Sequence, residues 1–332
     1  MKRIFIIIFA LLLALSLASC SSDSLGDYKK SVENTEQIRK GQTAGEFSME
    51  MEFNTEGMTE EQIKALNYFK DMKGSFNVAY DDEMEKGIFR NYLNFGGLGF
   101  DFDLFVDGKE VFMKLPVIGK YMRIDELQAP MIKQPGEEEM ELISKETQDK
   151  IGEKWLGVLR AEDVFKGKDI VLTTPDGEVK TTEYTIKLSD EQVKSLAEYS
   201  IDILSKDEKL KENYEELIKK NADTLKDTSF EKLFSDIKEN MKDYSSEGFS
   251  YTAYVDIDGY IVNEMMAFTL KVDNAKPSTA KSLSYKLDIK NWDINKEQKF
   301  DFPVLTEENT LDMDQMEEGI PFMMEDLFKN KD

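Results

Sequence analysis

The chain has 332 residues, of which 67 are acidic and 43 basic, and its formal net charge is −24. A surface of this sign repels the phosphate backbone, so we expect no nucleic-acid partner. The sequence contains no histidine and a single cysteine, Cys20. These counts exclude an intramolecular disulfide, serine–histidine and cysteine–histidine catalysis, and the commonest ligand of transition metals.

The N-terminus has the parts of an export signal. Lys2 and Arg3 provide positive charge, and an almost unbroken apolar run follows at 4–15. This run is shorter than the roughly 20 apolar residues that a membrane-spanning helix needs. Small and polar residues come next, and they lead to Cys20.

The stretch 17–20, Leu-Ala-Ser-Cys, resembles the lipobox of bacterial lipoproteins. The resemblance implies cleavage before Cys20 and a diacylglyceryl group on its sulfur. Two acyl chains supply stable anchoring, so we expect a cell-membrane protein that is lipid-anchored on the extracytoplasmic face. Residues 1–19 would be the signal peptide and 20–26 a lipidated tether. The alternative is an ordinary cleaved signal peptide with an incidental cysteine.

Alternating strand patterns dominate the first third of the mature chain. A weak helical stripe at 27–40 precedes them. From Glu46 to Phe53 apolar residues alternate strictly with polar ones, which predicts a strand with one wet face. The pattern returns within 76–80 and 98–106, and Asp107-Gly108 is a hairpin signal before 111–115. We expect five or six antiparallel strands between Glu46 and Ile124.

Capping boxes predict three helix starts, because a hydroxyl residue is followed three positions later by Gln or Glu. The pairs are Thr59 with Gln62, Ser189 with Gln192, and Thr228 with Glu231. A helical stripe also runs through 138–160. We therefore expect a helical insertion over 189–244 in a domain of 27–305, followed by an acidic, Met- and Phe-rich tail at 306–332.

Strand patterns return around and after this insertion. The segment Asp256-Ile257-Asp258-Gly259 is interpreted as a hairpin turn and not as a calcium loop, because the other ligands are missing. No metal site and no cofactor are expected. The strand segments predicted here are 169–174, 178–188, 249–257, 262–272 (interrupted by Glu264), 283–289 and an edge segment at 300–304.

Strands that alternate throughout favour an antiparallel sheet. The predicted fold class is α+β: a large curved antiparallel sheet, or half-barrel, with helices packed on its concave face. The order of strands, helical insertion and strands, with the Asp-Ile-Asp-Gly-Tyr hairpin within 254–264, resembles LolA/LolB/LppX-type lipoproteins. That resemblance implies a hydrophobic cavity between sheet and helices that carries lipids or lipoproteins.

Apolar residues on the sheet are the candidates for lining such a cavity. Methionine suits adaptable apolar pockets, and the chain has 17. For any one candidate, a filled core is the alternative. The candidates are Phe100, Phe102, Leu104, Val255, Met266 and Phe268.

The predicted function is therefore non-catalytic binding of a hydrophobic ligand, a lipid or an acyl chain, by a membrane-anchored protein. Paired carboxylates such as Asp101 and Asp103 are interpreted as a solvated sheet face and not as a hydrolase site. The alternative function is a cell-surface lipoprotein with a solid core. It would bind a protein partner, not identified by the sequence, through its acidic exterior or its tail.

Overall fold

A computed structural model describes residues 23–67, 69–116, 119–123, 143–220, 229–240, 243–273, 275 and 280–311. Residues 1–22, which include Cys20, and the tail after Leu311 lie outside these ranges. The helices are α1 (Ser24–Glu36), α2 (Glu60–Asn67), α3 (Lys145–Val158), α4 (Asp190–Leu204), α5 (Glu208–Lys220) and α6 (Phe230–Asn240). The strands are β1 (Lys40–Phe53), β2 (Asp71–Asp81), β3 (Lys86–Phe95), β4 (Leu98–Asp107), β5 (Glu110–Leu115), β6 (Lys120–Arg123), β7 (Val164–Thr174), β8 (Gly177–Ile186), β9 (Tyr244–Asp256), β10 (Ile261–Val272) and β11 (Ala280–Trp292).

The strands form one eleven-stranded sheet in the order β6-β5-β4-β3-β2-β1-β11-β10-β9-β8-β7. Every neighbouring pair is antiparallel. The first strand lies at the centre of the sheet because it pairs with both β2 and the last strand. β6 and β7 are the edges, so the sheet is open. With its helices it forms the α+β half-barrel that the sequence predicts.

The register sorts the side chains onto two faces, because paired residues and residues two apart point to the same side of a sheet. One face, called the apolar face below, carries Phe47, Met49 and Met51 of β1. The opposite polar face carries Glu46, Ser48 and Glu50. Asp101 and Asp103 lie on the polar face, where Asp101 is exposed and Asp103 is half-buried.

Two glycines on the apolar face make room for aromatic rings from the neighbouring strand. Gly45 pairs with Phe76, and Gly74 pairs with Phe47. A Cβ atom on Gly45 would lie 2.3 Å from the Phe76 ring, and one on Gly74 would lie 2.4 Å from the Phe47 ring. Each ring therefore lies directly over a glycine, the close approach for which glycine is used within a strand.

The helices pack against one end of the apolar face. Their principal contacts with the sheet are those of α1 with β7 and β10 and of α4 with β9, and α3 packs on α4. Two side-chain hydrogen bonds fix α1 to the β9–β10 hairpin: Asn34 donates to the Gly259 carbonyl, and Thr35 accepts from the Ile261 N–H. The core formed here contains Tyr28, Leu159, Val164, Tyr184, Ile186, Tyr251, Ala253, Val255 and Ile261.

A second core lies on the polar face at the other end of the sheet. Ile88, Phe105 and Phe112 are buried there under Phe300 and Phe302. The edge strand predicted at 300–304 is wrong, because this segment is irregular and packs through its aromatic rings. The two phenylalanine rings stack on each other at 5.6 Å, and the Lys86 ammonium lies over Phe302.

The helix starts follow local hydrogen bonding. The boxes at Thr59 and Ser189 are confirmed, since each hydroxyl accepts from the N–H three residues on and each glutamine returns the bond. For α6 the hydroxyl that accepts is that of Ser229, and Thr228 lies outside the described residues. None of the helices in the described ranges combines the length and apolar character that crossing a bilayer requires.

Asp207 joins the N-termini of two helices. Its carboxylate accepts from the Leu210 N–H at 2.7 Å, at the start of α5, and from the N–H and hydroxyl of Ser144, which caps α3. Burial, the largest influence, raises the pKa of Asp207. The hydrogen bonds from Ser144, Thr147 and the Leu210 N–H together outweigh burial and leave the pKa below its ordinary value.

We predict that Asp207→Ala lowers the free energy of unfolding by about 1–3 kcal/mol near neutral pH, through loss of a cap and of buried partners. Because the folded-state pKa is lowered, the contribution is complete above the unfolded pKa of about 3.9 and is lost as the pH falls through the folded pKa. Urea unfolding at a series of pH values measures this, with exposed Asp236→Ala on α6 as control. An effect of Asp207→Ala that does not shrink in acid would contradict the assignment.

Candidate ligand-binding site

A single row of paired residues crosses the apolar face from β7 to β4. Nine strands contribute one residue each, and eight spacings of about 4.8 Å give a row of roughly 38 Å. Its members are Val164, Ile186, Tyr251, Met266, Leu287, Phe47, Gly74, Leu93 and Phe100.

Exposure rises along this row. Ile186 and Tyr251, under the helices, are 0% and 8% exposed. Met266, Leu287, Phe47 and Leu93 are half-buried, and Phe100 at the far end is 42% exposed. The helices cover the row at its β7–β9 end. At its β4 end the apolar side chains are accessible to solvent. A contiguous accessible patch of this kind is typical of a binding surface.

All six predicted cavity residues point to the apolar face, but they are not gathered in one enclosure. Val255 is buried in the helical core. Met266 and Phe100 lie in the same row with four strands between them, a separation of about 24 Å. Phe102 and Leu104 lie beside Phe100 on β4, and Phe268 packs on Tyr285 at a ring distance of 5.4 Å. Their role in binding stays a prediction.

A pocket of about 330 Å³ lies where α1 meets the sheet. It adjoins the exposed part of the row, because Met266 belongs to both. Two carboxylates, Glu36 and Glu264, line it together with aromatic and aliphatic groups. The remaining lining residues are Tyr28, Val32, Thr35, Trp155, Tyr251 and Ile261.

Two hydrogen bonds join side chains that line this pocket. The Trp155 indole N–H donates to the Tyr28 hydroxyl at 3.2 Å, and the Tyr251 hydroxyl donates to a Glu264 carboxylate oxygen at 2.7 Å. The Tyr28 and Tyr251 rings meet edge to face at 6.0 Å. Burial raises the pKa of Tyr28 to about 12 and that of Tyr251 well above its ordinary value. Both phenols therefore stay protonated at neutral pH and Tyr251 remains a donor to Glu264.

The polar face holds a separate open trough of about 650 Å³ that crosses β9, β10, β11, β1, β2 and β3. Its walls carry hydroxyls and charges of both signs, with the exposed apolar groups Tyr92 and Met265 among them. The walls on the polar face are formed by Glu46, Ser48, Lys73, Ser75, Tyr92, Ser250, Thr252, Met265, Ala267, Lys286 and Asp288. Neither this trough nor the pocket offers a metal centre: within the described ranges, no three acidic or cysteine side chains gather at metal-binding spacing.

Of the residues that line the pocket, Met266 alone was predicted as a site residue. The sequence does carry one signal for Glu264, because this carboxylate interrupts the apolar alternation of 262–272. Tyr28 and Trp155 carry no such signal. They are brought to Tyr251 by contacts between α1, α3 and β9, which are distant in sequence.

No protein-family model and no curated protein sequence matches this chain. Among solved structures, a LolA superfamily protein from Nitrosomonas europaea is similar at a TM-score of 0.20 and 7% identity, over 84% of this chain and 94% of that one. An outer membrane lipoprotein-sorting protein domain described as putative, from Vibrio parahaemolyticus, is similar at 0.20 and 8%, over 83% and 93%. A beta-barrel-like protein of domain of unknown function DUF1849 from Brucella abortus is similar at 0.19 and 12%, over 77% and 100%. Scores this low carry no argument, so the fold assignment here rests on the strand pairings.

Proposed function

We propose that this chain is an exported, lipid-anchored protein that binds a hydrophobic ligand, a lipid or an acyl chain, along the apolar face of its half-barrel, without catalysis. The observation that supports this most directly is the rise in exposure along the cross-strand row, from buried Ile186 to Phe100 at 42%. The row supplies an apolar track beside the helices, with Phe47, Leu93 and Leu287 between its ends.

The energy available on such a track is adequate for binding. Each Å² of apolar surface removed from water contributes about 25 cal/mol, so covering about 200 Å² gives roughly 5 kcal/mol before ordering costs. A flexible acyl chain can follow the half-buried side chains of β11, β1, β2 and β3. The rings of Phe47 and Phe76 lie over Gly74 and Gly45, which have no side chains. At these two positions the glycines therefore add no group that projects above the rings.

The membrane anchor belongs to the same proposal. The export signal with Lys2 and Arg3, the apolar run at 4–15 and the lipobox-like 17–20 support lipidation at Cys20. Anchoring would hold the apolar face close to a lipid source. α1 begins at Ser24, only four residues after Cys20, so the domain would start close to the membrane surface.

A protein-binding lipoprotein is the second candidate, and the polar trough favours it. Tyr92 and Met265 are each 37% exposed there, and aromatic and methionine side chains are enriched in protein interfaces. Ile257 at the tip of the β9–β10 hairpin is 90% exposed. The two candidates use opposite faces of one sheet, so matched variants separate them.

We predict that Phe100→Glu weakens binding of the uncharged fluorophore N-phenylnaphthylamine about tenfold, because a charge replaces an apolar contact worth about 1.5–3 kcal/mol. Tyr92→Glu is the matched control: it also replaces an exposed aromatic residue, on the next strand and on the other face. Fluorescence titration of the purified domain measures both variants, and displacement by a fatty acid shows that the probe occupies the ligand site. Equal loss in both variants, or no saturable binding by the wild type, would contradict binding on the apolar face.

We predict that the full-length chain, expressed in a bacterial host, incorporates an alkyne-labelled fatty acid and that Cys20→Ala abolishes the label, since no other thiol is present. Ser21→Ala is the control and should keep the label. In-gel detection and the mass of the mature N-terminus provide the measurement. An unlabelled wild-type protein cleaved at another position would favour an ordinary signal peptide.

A further inference from the structure

Glu264 is a carboxylate placed within the apolar face. It pairs across the sheet with Ala253 on one side and Ile289 on the other, and that second row continues through Gly45 to Phe76. A charged group at such a position requires compensation by hydrogen bonds or by a counter-charge. Among the described residues, the Tyr251 hydroxyl donates one hydrogen bond to a carboxylate oxygen of Glu264.

No counter-charge for Glu264 comes from the part of the chain that the structure describes. The ion pairs found there do not include Glu264 or Glu36. The described lining of the 330 Å³ pocket holds these two carboxylates and no lysine or arginine. The pocket therefore presents two negative charges to whatever occupies it.

Aromatic rings form the other wall of this pocket. The Trp155 and Tyr251 rings lie 5.3 Å apart and are inclined by 56°, and Tyr28 meets Tyr251 edge to face at 6.0 Å beneath them. Two hydrogen bonds, from the Trp155 N–H to Tyr28 and from the Tyr251 hydroxyl to Glu264, fix the positions of these rings. Aromatic rings combined with carboxylates attract organic ammonium groups through cation–π and Coulomb interactions. Among the described residues, no third acidic side chain joins Glu36 and Glu264 in a metal-binding cluster.

We propose that this pocket binds an organic cation, an ammonium or trimethylammonium group. Because Met266 lines the pocket and also starts the exposed part of the apolar row, the ligand class is an amphiphile with a cationic head and an apolar tail. The head lies against Trp155 and Glu264, and the tail follows Leu287 and Phe47. The proposal of an apolar tail depends on the function proposed above. The proposal of a cationic head group depends only on the observed pocket.

The head site is tested with tetramethylammonium chloride, which has no tail. In a Trp292→Phe background Trp155 is the sole tryptophan, so its fluorescence reports on the pocket.

We expect saturable binding of tetramethylammonium. Glu264→Gln should weaken this binding about five- to tenfold, because the variant loses a partly desolvated contact between the carboxylate and the cation. Glu178→Gln removes an exposed carboxylate of β8 that does not line the pocket, and it should leave binding unchanged. Glu36→Gln at the exposed rim serves as second variant if Glu264→Gln does not fold. A response reproduced by sodium chloride at equal ionic strength would overturn the proposal.

The amphiphile is tested by comparing dodecyltrimethylammonium with dodecyl maltoside below their micelle concentrations, using calorimetry. We expect the cationic amphiphile to bind more tightly, with the difference lost in Glu264→Gln. Equal affinities for the two amphiphiles together with no tetramethylammonium binding would overturn the cation site. That result would still agree with binding of an apolar ligand on the apolar face. Tetramethylammonium binding without affinity for either amphiphile would support the head site and contradict the function proposed for the apolar face.

Discussion

One constraint organises this protein: the apolar face of its sheet is continuous across nine strands, and removing it from water is favourable. The helices meet that need at the β7–β10 end, where Tyr28 of α1 is fully buried against Tyr184 and Tyr251. Toward β4 the same face is accessible, and this difference between its ends underlies the proposed binding of an apolar ligand.

The polar face differs between one end of the sheet and its middle. Near β3 to β5 it becomes a second core, because Ile88, Phe105 and Phe112 are covered by the segment after β11. In the middle of the sheet it carries charges and hydroxyls and forms an open trough. The two cores thus lie on opposite faces of one sheet. The first is covered by α1 and the mid-chain helices α3 and α4, and the second by the segment after β11. Among the described residues, the centre of the apolar face, with Glu264 at its edge, is half-buried.

The sequence predicts most of this fold, because long strands with one wet face alternate visibly. The alternation of apolar and polar residues is unclear in β3. Ile88 is apolar but lies on the polar face, in the second core, and Asn91 is polar but lies on the apolar face. The segment at 300–304 alternates like a strand, but it packs its half-buried rings on the second core without strand pairing. The pocket could not be predicted, because Tyr28, Trp155 and Glu264 meet only through packing between distant elements. Glu264 alone was visible as an interruption.

The central claim is that the apolar face holds a hydrophobic ligand in the folded protein. Native mass spectrometry tests it most directly, on the domain that starts after Cys20, exported in a bacterial host and purified without detergent. We predict a native mass that exceeds the denatured mass by one stoichiometric apolar adduct, which organic solvent extracts and Phe100→Glu reduces. Equal native and denatured masses, with no extractable lipid from the wild-type domain, would contradict the account and favour recognition of a protein partner through the polar trough.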